Sequence, residues 1–77
     1  MAQPSISSLR AILRSVDGYK KDSSAPSITK DPRSGRYHIH FHELGQVHLA
    51  SRCEKSLRAS GFTVFNFYPE LVVEPYV

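Results

Sequence analysis

Three histidines at alternate positions, His38, His40 and His42, are the most conspicuous chemical group in this sequence. They are interleaved with Tyr37, Ile39 and Phe41. On an extended strand, side chains two residues apart share a face and stand about 7 Å apart. The imidazoles therefore line one face and the apolar side chains the other. Three chemistries suit such a row: metal chelation, phosphoryl transfer, and stacking against flat ligands. For a metal, paired imidazoles supply two ligands and a third must come from elsewhere. His48 and Cys53 lie nearby in sequence, but on a helix they are separated by about 140° and do not face one ion together. Cys53 falls on an apolar stripe, where a buried, inert thiol is expected. The ligand count stays unfilled, so neither metal nor cofactor is expected.

For phosphoryl transfer, the stretch Tyr37-His38-Ile39-His40-Phe41-His42-Glu43-Leu44-Gly45 resembles the motif of the histidine-triad nucleotide hydrolases. The resemblance implies a nucleophilic histidine at His40. It covers nine residues, and Glu43 stands where that family keeps an apolar side chain. Only one weak strand precedes the motif, in place of the longer run that holds a nucleotide there. Other catalytic signatures are missing: no P-loop, dinucleotide loop, Cys-x-x-Cys pair or serine elbow occurs in the sequence. The chain is expected not to be an enzyme.

For stacking, the aromatic-rich stretch 62–68 offers either Thr63, Phe65 and Phe67 or Phe62, Val64, Asn66 and Tyr68 to a sheet surface. Beside the histidines, Phe65 and Phe67 would make a platform of the kind that holds bases of single strands. Lys30, Arg33 and Arg36 on a hairpin are candidates to hold phosphates at its edge. Arg52, Lys55 and Arg58, with His48, form a second basic surface on a helix. All ten Lys and Arg lie between Arg10 and Arg58 with only five of the seven acids, a charge near +5 there. A basic body of this kind favours nucleic acid or an acidic protein surface as partner.

The elements that position these residues follow from periodicity. Ile6, Leu9, Ile12, Leu13 and Val16 recur at helical spacing, so 6–17 is predicted as a helix with Ser5 as N-cap and Gly18 as its stop. Residues 20–26 are polar and broken by Pro26, a loop. Ser27 to Lys30 is a short strand, Asp31 to Gly35 a type I turn closed by a left-handed glycine, and Arg36 to Glu43 the returning strand. A second helix over 46–60 buries Leu49, Ala50, Cys53 and Leu57, with Gly61 after it. Residues 62–68 form the last strand; Pro69 interrupts it, and 69–77 reads as an edge-strand extension or a tail.

The expected fold is therefore α+β: a two-layer sandwich in the order α-β-β-α-β, with both helices on one face of a three-stranded antiparallel or mixed sheet. Its element order resembles a ferredoxin-like or RNA-recognition fold without the first strand. The 77 residues suit a single domain with a core of only about 3 to 5 kcal/mol net. One cysteine excludes an internal disulfide and suits a reducing compartment. No apolar run reaches the roughly 18 to 20 residues of a membrane span, and the N-terminal stretch lacks a signal peptide's apolar block. A cytoplasmic protein with no membrane contact is expected.

Function is expected to be binding through the sheet face and basic hairpin, to nucleic acid or to a nucleic-acid-binding protein. The alternative is an inhibitor or adaptor of phage or mobile-element type that acts by protein contact, with a homodimer also compatible.

Overall fold

The computed structural model describes residues 4–19, 25–43 and 45–75. Within them the chain runs α1 (Ile6–Arg14), β1 (Ser27–Lys30), β2 (Tyr37–His40), α2 (Val47–Ala59), β3 (Val64–Phe67) and β4 (Glu70–Val73). Most of the loop expected over 20–26 lies outside the described residues.

Helix α1 starts where its caps dictate. The Ser5 hydroxyl accepts the Ser8 backbone N–H while the Ser8 hydroxyl accepts that of Ser5, a reciprocal capping box. The helix buries Leu9 and Leu13 and ends at Arg14, earlier than the periodicity suggests; Val16 reaches the core from the turn that follows. Helix α2 buries the four predicted residues Leu49, Ala50, Cys53 and Leu57.

The sheet has four antiparallel strands in the order β1-β2-β4-β3. This corrects the three-stranded expectation and, for residues 70–73 of the stretch 69–77, the reading as an edge extension or tail. Pro69 does not end pairing; Tyr68 and Pro69 form a two-residue turn, and Phe67 pairs across it with Glu70. β4 then lies in the sheet interior, between β2 and β3. Strands β2 and β3 are consequently parallel to one another, linked by α2 across the intervening β4, a split β-α-β unit. Restored in this way, the sheet has a ferredoxin-like order in which the strand missing from the start is supplied at the end.

Both helices pack on one face. Leu9, Leu13, Ala50, Cys53 and Leu57 meet Ile39, Leu71 and Val73 in one core, all fully buried. Alternation on β3 settles which of its faces turns inward. Phe62 and Val64 are buried, while Phe65 and Phe67 stand outside the core. No helix among the described residues is long and apolar enough to cross a membrane.

Candidate functional site: an aromatic and histidine sheet face

The site is the sheet face opposite the helices, and strand register builds it. Two cross-strand rows span all four strands. One runs Thr29, His38, Val72, Phe65; the other runs Ser27, His40, Glu70, Phe67. Because β4 lies between β2 and β3, the histidines and the phenylalanines are separated by one strand, with Val72 and Glu70 between them.

Phe65 and Phe67 are 44% and 65% exposed, and their rings stack with centroids 6.3 Å apart and planes inclined by 27°. With Val72, Arg36, His38 and Glu74 they line an open groove of about 410 Å³ that reaches Asp31 and Ser34 in the hairpin. A groove of that size admits one or two flat rings along the phenylalanine wall.

Its polar groups are already organised. Arg36 donates Nε–H to Glu74 at 3.1 Å, and the carboxylate is nearly buried. His38 Nδ1 lies 2.6 Å from Glu70 Oε1, and His40 Nδ1 is 3.9 Å from the other oxygen of the same carboxylate. The His40 and His42 rings meet edge to face at 5.0 Å, and His42 Nε2 contacts the Ser27 hydroxyl. In the hairpin, Asp31 accepts the Arg33 backbone N–H, which together with neighbouring donors holds its carboxyl below the usual range. Gly35, at φ +75°, closes that turn in the left-handed conformation that glycine tolerates.

The predicted residues divide between two surfaces. Arg36, His38, Phe65 and Phe67 meet in the groove, His40 and His42 continue the same face, and Arg33 is exposed in the hairpin turn between the lining residues Asp31 and Ser34. Lys30 alternates to the helix-bearing side, its ammonium 5.7 Å from the Tyr37 ring centroid. Arg52, Lys55 and Arg58 lie on α2, in the other layer. Arg58 is engaged there, 2.8 Å from Glu54 and donating to the Val64 carbonyl. One short ligand therefore does not span both basic surfaces.

Glu70 and Glu74 were missed from sequence, where the acids look scattered. Their signal is the period-two spacing of Glu70, Val72 and Glu74, which becomes informative once 70–74 is seen as a strand. Among the described residues no group of three or more His, Cys, Asp or Glu side chains is arranged to hold a metal ion. The chemistry this face can perform is stacking on two rings, with imidazoles and carboxylates ready to exchange hydrogen bonds at the ring edges. No protein-family model, curated protein or solved structure matches the chain.

Proposed function

We propose that this protein is a small, non-catalytic binding module that takes single-stranded nucleic acid on its open sheet face, directly or while engaging a protein that handles nucleic acid. The observation that carries the reading is the exposed, mutually stacked Phe65–Phe67 pair walling a groove opposite His38 and Arg36. Aromatic rings left in water on a sheet, beside hydrogen-bonding side chains, suit bases better than they suit solvent. The groove's carboxylates sit where base edges lie, and amino and imino groups of bases are donors for them. Phosphates belong outside the groove, at Arg33 and along the strand edges. An amide NMR titration with short single-stranded RNA and DNA tests this. Shifts centred on 33–40 and 64–73 that shrink with added salt support it; spectra that do not move refute it.

A second reading has its own observation. Asp31 and Glu74 line the groove and Glu70 sits against His38 beside it, together offsetting Arg36, so the platform itself is not strongly cationic. An apolar patch with internally paired charges at its rim also fits protein contact, as an adaptor, an inhibitor or a homodimer. Sedimentation separates the two: a dimer mass that falls to monomer on Phe67→Ser favours protein contact.

A further inference from the structure

Beside the β1 edge of the sheet lies a small, polar recess of about 160 Å³, lined by Arg10, Arg14, Tyr19, Ala25 and Pro26. Arg10 and Arg14 are exposed and one turn apart on α1, so both guanidiniums project along the same flank of the helix. Neither is paired with a carboxylate among the described residues. Arg14 in the last turn complements the helix dipole, but Arg10, one turn earlier, has no such role. Two guanidinium forks and a phenol around a space of this volume match a tetrahedral oxyanion, to which arginine binds with paired, charge-assisted hydrogen bonds.

We infer that this recess is a phosphate-binding site, and that it holds the backbone of the strand whose bases lie on the sheet face. The second half of that statement rests on the function proposed above. Connectivity supports it. Ala25 and Pro26 lead directly into Ser27, which shares a cross-strand row with His40, Glu70 and Phe67. From Phe67 to Ser27 the row crosses three strand spacings, about 14 Å. A strand stacked on the phenylalanines and led across the histidines thus leaves the sheet at the β1 edge, next to the Ala25 and Pro26 wall of the recess. Because α1 shares the helix-bearing face with α2, the backbone turns around the β1 edge to reach the recess.

The test compares the protein with its Arg10→Gln/Arg14→Gln variant, whose substitutions are exposed and leave the core intact. In a salt series with a labelled single-stranded decamer, loss of two phosphate contacts lowers the slope of log K against log salt by about 1.4. At 0.1 M salt that corresponds to roughly 25-fold weaker binding, taking the electrostatic part to vanish near 1 M. An unchanged slope in a folded variant overturns the assignment of the strand to this recess. A parallel titration with inorganic pyrophosphate, read at the amides of residues 10–19, stands apart from the sheet-face reading. Saturable shifts that the variant loses, and that Phe65→Ala/Phe67→Ala keeps, support the phosphate site even if no oligonucleotide binds. No shift with pyrophosphate overturns it.

Discussion

Truncating both rings of the sheet-face pair, Phe65→Ala/Phe67→Ala, should strongly weaken ligand binding while leaving the domain folded. The two consequences separate because the rings lie outside the core: Phe65 is 44% and Phe67 65% exposed, whereas the core side chains beneath them are close to zero. Folding loses the ring–ring contact and part of the cover over Val72, about 1 to 2 kcal/mol. Binding loses a stacking surface for each base, about 1 to 3 kcal/mol per ring. Two rings give about 2 to 6 kcal/mol, which is at least a roughly 30-fold rise in Kd. Fluorescence anisotropy with a labelled ten-nucleotide single strand reads the affinity, and far-ultraviolet circular dichroism with a urea titration reads the fold. Lys55→Ala, on the other layer, is the control, with affinity expected within about twofold. An affinity change of less than threefold in a folded double variant would refute the stacking argument. So would an equal loss in the Lys55→Ala control.

Other consequences follow from the packing. Leu71→Ala, at a fully buried position of the interior strand β4, should cost about 2 to 5 kcal/mol. That approaches the whole stability available to a domain of this size, so urea titration should find the variant largely unfolded. Ser5→Ala removes one half of the α1 capping box and should cost about 1 kcal/mol, seen as a lower urea midpoint with an unchanged slope. Cys53 is fully buried, and burial pushes its thiol from an ordinary value near 9 up to about 11. It should resist a thiol-reactive disulfide reagent at pH 8 in the native protein and react promptly in urea. The same shift sets a sign: the fold favours the neutral thiol, so this contribution is complete below about pH 9 and lost as pH rises toward 11. Stability that increases over that interval when Cys53 is intact, relative to Cys53→Ala, would contradict it.

Much of this arrangement is legible from local pattern. Apolar spacing locates both helices, and the β1 boundaries Ser27–Lys30 match the sequence reading because the hairpin turn between Asp31 and Gly35 fixes them. The alternation of Tyr37, Ile39 and Phe41 against the histidines is real, since all three are buried. Its extent is shorter than expected. Strand β2 ends at His40, and the Phe41 N–H donates to the Pro69 carbonyl in the turn between β3 and β4. That partner comes from 28 positions further along the chain, beyond the reach of any local window. The same non-locality hides β4. Leu71-Val72-Val73 is too short to announce a strand by periodicity, and a proline just before it reads as a break. Insertion between β2 and β3 is a long-range choice that only the assembled sheet makes.

That insertion is also what makes the candidate site. Had β4 paired on the outer edge of β3, or trailed across the sheet, the histidines of β2 would have stood directly against the phenylalanines of β3. Glu70 would then have met only one strand. Placed in the interior, β4 brings Glu70 between His38 and His40 on one side and Phe67 on the other, and sets Glu74 against Arg36. The carboxylates fix the orientation of imidazole and guanidinium groups that would otherwise be mobile at the surface, while Val72 floors the groove between the two kinds of ring. They also lower the positive potential of the platform, so the attraction of a phosphate backbone has to come from outside it. On the proposed reading, this topology divides the work between a face that takes rings and a separate cationic flank that takes charge. It is why exchanging the sheet-face rings and exchanging the α1 arginines are expected to leave different signatures, the first in affinity at every salt concentration and the second chiefly in its salt dependence.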